Sequence, residues 1–200
     1  GASENALRLI LLSELEHFCA RYPHVRIRLL NYSAPQAVKA LENNIIDFAI
    51  VSTPVLVHKH MHQEKLVSYD EILLGGTKYK QFAQQVHYLE DISEMPLIGL
   101  CEGSSTHTHY SRFFMEHDLP FEPDMEAAMT DQVLPMITHN LGIGFYPKSL
   151  ALEAIEKELV FPIELTEPLP NRDVVVITNN HTPINSAARR FLEFLLENRK

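Results

Sequence analysis

Along the first twenty residues the apolar positions Leu7, Leu11, Leu15 and Phe18, broadened by Ile10 and Leu12, keep the spacing of one helical face. Ser3 stands where a cap would, although Ala6 lies close to where the Glu or Gln of a full capping box belongs. Tyr22-Pro23 stops this helix, because the residue before a proline avoids the helical region. The period then changes to two: Val25, Ile27 and Leu29 alternate with Arg26 and Arg28, which predicts a strand. Ser33-Ala34-Pro35-Gln36 reads as a capping box with an early proline, opening a short helix that ends near Asn43-Asn44. The run Ile45-Ile46-Asp47-Phe48-Ala49-Ile50-Val51 is nearly all apolar, as in a strand covered on both faces, and ends at Ser52-Thr53-Pro54. Strand, helix, strand at this spacing predicts a right-handed βαβ unit.

Residues 66–76 predict one or two strands running through a crossover, followed by a helix around Lys78–Gln85 and a turn at Asp91-Ile92. Leu97, Ile98 and Leu100 then predict a buried strand that leads into the polar loop Glu102-Gly103-Ser104-Ser105-Thr106. Beyond it, Tyr110, Phe113, Phe114 and His117 recur at helical spacing. Phe121, Met125 and Ala127 suggest a strand, and residues 131–140 a helix closed by a left-handed cap at Gly142. Short strands follow at 143–147 and 160–163 around a small helix at 149–157. A strand at 173–178 and a helix at 184–197, with Ala187, Phe191, Phe194 and Leu195 on one face, complete the order. No linker or charge block separates domains, so two lobes would have to be joined by strands.

Composition narrows the classes. Two hundred residues, 46% hydrophobic, can bury a real core. A net charge of −9 speaks against this chain gripping nucleic acid by itself, since phosphate binding needs a basic face. No apolar run is long enough to span a membrane and no signal peptide is present, which predicts a soluble, cytoplasmic chain. Cys19 and Cys101 give no disulfide framework, and Cys101 reads as an inert buried thiol rather than a redox sensor.

The candidate chemistry gathers where strands end. A strand, a small polar loop and a helix is the layout in which open α/β sheets bind ligands. The unpaired N–H groups of the helix start, with Ser and Thr hydroxyls, suit a small anion or polar metabolite. Ser and Thr before a helix also serve as plain caps. His58, His60 and His62 would share one strand face, and His107 and His109 repeat the spacing. Without cysteines or a firm carboxylate partner they read as solvent-exposed rather than metal-binding. Gly142-Ile143-Gly144 fits a tight cap and a close approach of backbone to ligand, not a dinucleotide fingerprint. There is no nucleophile elbow, P-loop or HExxH, so an enzyme is not expected.

Four segments in order carry a family resemblance: Gly1-Ala2-Ser3 running to Phe18 and Arg21-Tyr22-Pro23-His24-Val25; Leu41 to Ile50, with Asn44 where glycine is usual; Glu102 to Thr106; and Thr138 to Pro147. Together they make the chain resemble the effector-binding domain of LysR-type transcriptional regulators. The resemblance implies an α/β fold of two Rossmann-like lobes, periplasmic-binding-protein-like (type II), joined by two crossover strands around a ligand cleft. It divides the chain into lobe I (1–73 and 179–200) and lobe II (74–178). It implies ligand contacts from Ser3, Thr53, Gly103, Ser104, Ser105, Thr106, Thr130, Asp131, Gly144 and Phe145, and no cofactor or metal. The agreement with the polar strand ends raises Ser105 above a plain cap. These stretches lack an obvious arginine. The implied partners are a small, possibly anionic effector, a homodimer or homotetramer formed through the helices at 6–18 and 110–117, and promoter DNA bound by a helix-turn-helix outside this sequence, as is the family's first strand. The rival reading is a stand-alone solute-binding protein of the same fold.

Overall fold

A computed structural model describes residues 1–197, and the chain divides into two compact units: Gly1–Ser68 with Asp173–Lys200, and Tyr69–Arg172. In unit 1 the first helix, α1 (residues 4–21), is α-helical over Glu4–Ala6 and Leu12–Arg21, with a π-helical stretch Leu7–Leu11 between. The extra residue in that stretch turns Ile10 and Leu11 inward and leaves Leu12 53% exposed. Helix α2 (Ala34–Glu42) starts as its sequence promises: the Ser33 N–H donates to Gln36 Oε1 at 2.9 Å, and Pro35 sits in the first turn. Strands β1 (Ala49–Ser52), β2 (Met61–Tyr69) and β9 (Arg172–Asn179) form a three-stranded sheet in the order β1-β9-β2. β1 and β9 are antiparallel, with Ala49 opposite Ile177 and Ser52 opposite Val174. Ala37, Val38 and Leu41 of α2 close one core over Val51 and Val175. Phe191 and Phe194 of the last helix, α7 (Ser186–Glu197), meet Phe18 edge-on at 4.8 and 5.6 Å.

Unit 2 is built on a six-stranded sheet in the order β4-β8-β3-β7-β5-β6. These are β3 (Glu71–Gly76), β4 (Val86–His87), β5 (Leu97–Leu100), β6 (Met125–Ala127), β7 (Ile143–Pro147) and β8 (Val160–Leu165). β3 runs antiparallel to β7 and β8, while β5 is parallel to both β6 and β7. Successive residues of a strand face opposite ways, and Leu73 and Leu74 accordingly enter two different cores. On one face lie α3 (Leu89–Ser93) and α4 (Ser105–Met115), which packs Tyr110, Phe113 and Phe114. The other takes α5 (Thr130–Thr138) and α6 (Lys148–Glu156) through Val133, Ile137 and Ala151.

Several expectations need correction. Residues 25–29 form no strand: Ile27 is 44% and Leu29 40% exposed, and a strand needs partner N–H and C=O groups. Nearby, Ala2 takes isolated parallel bridges to Asn31 and Ile50. Strand β1 is correspondingly shorter than the apolar run 45–51. The helix expected at 78–85 is two short 3₁₀ turns, Thr77–Tyr79 and Phe82–Gln84. Tyr79 folds back over Gly75, where an added Cβ would lie 2.6 Å from the Tyr79 Cβ. The left-handed cap after α5 is Asn140 (φ 60°), not Gly142. Gly142 is required instead because a Cβ there would meet the Pro96 carbonyl oxygen at 2.5 Å. His58 and His60 lie before β2 starts, so the three histidines do not share a strand face. Both cysteines are free; Cys19 is exposed, and Cys101 is half-buried rather than the buried thiol expected.

Candidate functional site

The polar loop after β5 behaves locally as its sequence suggests. Gly103 takes φ +83°, a left-handed conformation that only glycine adopts freely. Ser104 then caps α4, its Oγ accepting from the His107 N–H at 3.1 Å. Ser105 and Thr106 form the first turn, both half-buried. Thr106 lies one turn before Tyr110, so both point to the same face of α4.

That face meets a buried charge pair that sequence reading did not single out. Glu71 opens β3 and Arg172 opens β9; their side chains are 2% and 0% exposed, with Arg172 Nη1 at 3.2 Å from Glu71 Oε1. The same Nη1 donates to Thr106 Oγ1 at 3.0 Å, and the Tyr110 hydroxyl donates to Glu71 Oε2 in a short hydrogen bond. Tyr110 in turn stacks on Phe145, ring centroids 4.2 Å apart. Thr106, Thr130 and Phe145 therefore come together with Glu71 and Tyr110 around a cavity of about 10 Å³, room for at most one water. The expected site stretches contain no arginine of their own, but the fold brings one to them: Arg172 bonds Thr106 directly. A signal was present, since Glu71 and Arg172 are opposite charges that each precede an apolar run, Ile72–Leu74 and Val174–Ile177.

The electrostatics follow from burial. Burial is the largest single influence and works against the Arg172 charge, but Glu71, Tyr69 and Tyr110 together outweigh it and raise the guanidinium pKa. Burial, with Glu71 adding to it, pushes the Tyr110 hydroxyl well above the ordinary tyrosine range. His109, beside this cluster, is driven down to about 4, chiefly by burial and then by Arg172, so its ring is neutral at pH 7. Its Nε2 is buried without a hydrogen-bond partner among the described residues.

The other expected residues are placed differently. Asp131 is exposed at the start of α5, while Thr130 is buried. Gly144 lies inside the sheet, opposite Leu74 on one side and Ile98 on the other; the close approach it permits is to the Ile98 carbonyl, 3.0 Å from where a Cβ would stand. In unit 1, Ser3 Oγ accepts from the Ser52 N–H at 3.2 Å, and the Ser52 hydroxyl beside it is buried without a partner among the described residues. Thr53 Oγ1 accepts from the Asp173 N–H at 3.0 Å. Partial burial works against the Asp173 charge, but bonds from the Ser68 hydroxyl and Lys65 outweigh it and lower its pKa.

Unit 1 also holds the larger cavity, about 340 Å³, between Leu11, Phe18, Ile27, Leu29, Phe48 and Phe191. None of the ten expected site residues lines it. Arg26, Arg28, Asp47 and Asn185 also line it, so charged and apolar side chains share its walls. Among the described residues no group of histidine, cysteine or carboxylate side chains could hold a metal. His58 instead pairs with Glu42 at 2.9 Å and stacks on His60, which stacks on His181.

Comparison with known proteins settles the family. A model of the LysR substrate binding domain matches residues 1–200. The chain belongs to this family. Among its relatives are the HTH-type transcriptional regulators YofA of Bacillus velezensis, 20% identical over 98% of the chain, and GltR of Bacillus subtilis, 22% identical over 79%. The chain spans 65% and 51% of those two proteins. The CcmR regulatory domain of Synechocystis, solved in complex with 2-PG, superimposes with a TM-score of 0.86 at 16% identity, covering all of this chain and 95% of that one. The QuiR effector-binding domain, solved with shikimate, gives 0.84 at 15% identity over all of this chain and 94% of that one. The sulfate-bound OxyR2 regulatory domain of Vibrio vulnificus gives 0.80 at 15%, covering 98% and 93%. As a LysR substrate-binding domain the chain has the type II periplasmic-binding-protein-like fold of two α/β lobes. No described helix is long and apolar enough to cross a membrane.

Proposed function

We propose that this LysR substrate-binding domain senses a small polar metabolite or anion for a cytoplasmic transcriptional regulator, and that the effector is held in unit 2 by the first turns of α4 and α5. The observation that carries this reading is the convergence of Thr106, Thr130 and Phe145, three positions expected from sequence, beside the buried Arg172. Arg172 Nη1 already donates to Thr106 Oγ1, so the Thr106 hydroxyl hydrogen is left to donate to a ligand acceptor. Ser105 Oγ and the first N–H groups of α4 add donors, which favours an oxyanion or a hydroxylated acid. Ligands named for the related structures, 2-PG, shikimate and sulfate, are of that kind. The 10 Å³ cavity is too small for such a molecule, so it is the exposed end of this cluster, at Gly103 to Ser105, that receives it. In unit 1 the proposed contacts are Ser3 and Thr53.

In this reading the effector shifts the population between two arrangements of a homo-oligomer and so alters promoter binding by a helix-turn-helix outside this sequence. Of the two helices proposed for subunit contacts, α4 buries Tyr110, Phe113 and Phe114, leaving Met115 67% exposed, while α1 leaves Leu12 exposed. A thermal-shift screen of small metabolites and inorganic anions tests the reading, with Ser105→Ala in parallel. An effector at a hundred times its dissociation constant adds about 2.7 kcal/mol to stability. A compound that raises the melting temperature of the wild type but not of the variant supports it; equal shifts in both place the ligand elsewhere.

A further inference from the structure

Four side chains in unit 2 close a ring. Thr106 and Tyr110, one turn apart on α4, hold Arg172 and Glu71 respectively, and Arg172 and Glu71 hold each other. The chain passes between its two units at two places, after Ser68 and after Arg172. Glu71 lies three residues beyond the first passage and Arg172 immediately before the second. The ring therefore ties both connecting segments to the same helix, and to the turn of that helix that carries Ser105.

We propose that Arg172 is a positioning residue that transmits occupancy of the first turn of α4 to both connecting segments. The proposal rests on the effector reading of that turn and adds how it is relayed. When a ligand acceptor takes the Thr106 hydroxyl hydrogen, the oxygen becomes a stronger acceptor for Arg172 Nη1, since hydrogen bonds in a chain polarise one another. The guanidinium is drawn toward α4, and Glu71, held on its other side by Tyr110, keeps the start of β3 on the same helix. The ligand thus gains a differential interaction with the arrangement in which both segments are gripped, as a population shift requires.

A plain core tie would use the same contacts, so the test must separate transmission from stability. Hydrogen–deuterium exchange on the 200-residue chain does this without any ligand, comparing wild type, Thr106→Val and Thr106→Ser. Thr106→Val keeps the side-chain shape and removes the oxygen that accepts from Arg172. The expected result is exchange faster by about tenfold, the loss of one hydrogen bond to a charged group, in peptides covering 69–76 and 170–177. Peptides covering α5 and α6 stay unchanged, and Thr106→Ser restores the wild-type pattern. A rise confined to 104–110, a uniform rise throughout unit 2, or a failure of Thr106→Ser to restore the pattern overturns the proposal. Should Thr106→Val fail to fold, Tyr110→Phe, which removes only the hydroxyl at the far side of the ring, must produce the same distal rise or the proposal falls. Because no ligand enters, this experiment can fail while the thermal-shift screen succeeds, and the reverse.

Discussion

Two ion pairs stand on the two connecting segments, one in each unit, and they differ in nearly everything but sequence position. In unit 1, Lys65 reaches Asp173 at 2.9 Å with side chains 57% and 33% exposed. In unit 2, Arg172 reaches Glu71 at 3.2 Å with 0% and 2% exposed. The first is shorter but partly open to water, which screens the attraction, and Lys65 loses side-chain freedom by holding still. The second has given up its hydration, so its members depend on each other and on Thr106 and Tyr110. Distance alone would rank them the wrong way round. What decides their weight is where each neighbouring residue sits: Arg172 belongs to the core of unit 2, and Asp173, the next residue, faces the surface of unit 1.

The largest break in that comparison comes from removing one buried partner. Arg172→Met is expected to cost about 3–5 kcal/mol in urea unfolding, because Glu71 is left as an uncompensated buried charge. Replacing the whole group, with Arg172→Met, Glu71→Leu and Tyr110→Phe together, is expected to recover most of that loss, since a matched apolar set leaves no orphaned charge or hydroxyl. If the triple variant is no more stable than the single one, the pair stabilises by something other than mutual neutralisation.

Next comes pH. His109 titrates near 6.5 when unfolded and at about 4 in the fold, so between those values the unfolded chain binds more protons. Stability is therefore fully present above pH 6.5 and falls as pH drops toward 4, by about 2 kcal/mol once partial solvent access is allowed for. Melting curves from pH 4 to 7 are expected to show a shallower fall in His109→Gln than in wild type, and parallel curves would contradict this. The smallest effect belongs to the surface pair: Lys65→Met is expected to cost less than about 1 kcal/mol, and less still at high salt.

Elements whose stability is local were legible in the sequence. The capping box at Ser33 and Gln36 forms, and the spacing of Tyr110, Phe113 and Phe114 gives α4 and its buried face. Elements that depend on a distant partner were not. Residues 25–29 have the alternation of a strand but, among the described residues, no neighbouring strand to complete a ladder, and Tyr79 of the 3₁₀ turns after β3 packs on Gly75. The candidate site divides in the same way. Ser104, Ser105 and Thr106 were visible because a strand, loop and helix follow one another in the chain. Glu71 and Arg172 are separated by 101 residues and open strands of two different sheets, so nothing local in the sequence shows that both end beside Thr106 and Tyr110.

The central claim, that unit 2 holds the effector through α4, is tested most directly by amide chemical shifts of the domain during titration with sulfate and with shikimate. The account predicts that the Ser105, Thr106 and Thr130 signals move in a saturable way, and that Thr106→Val abolishes the movement. Saturable shifts confined to Ile27, Leu29 and Phe191 would place the ligand in the unit 1 cavity and contradict it.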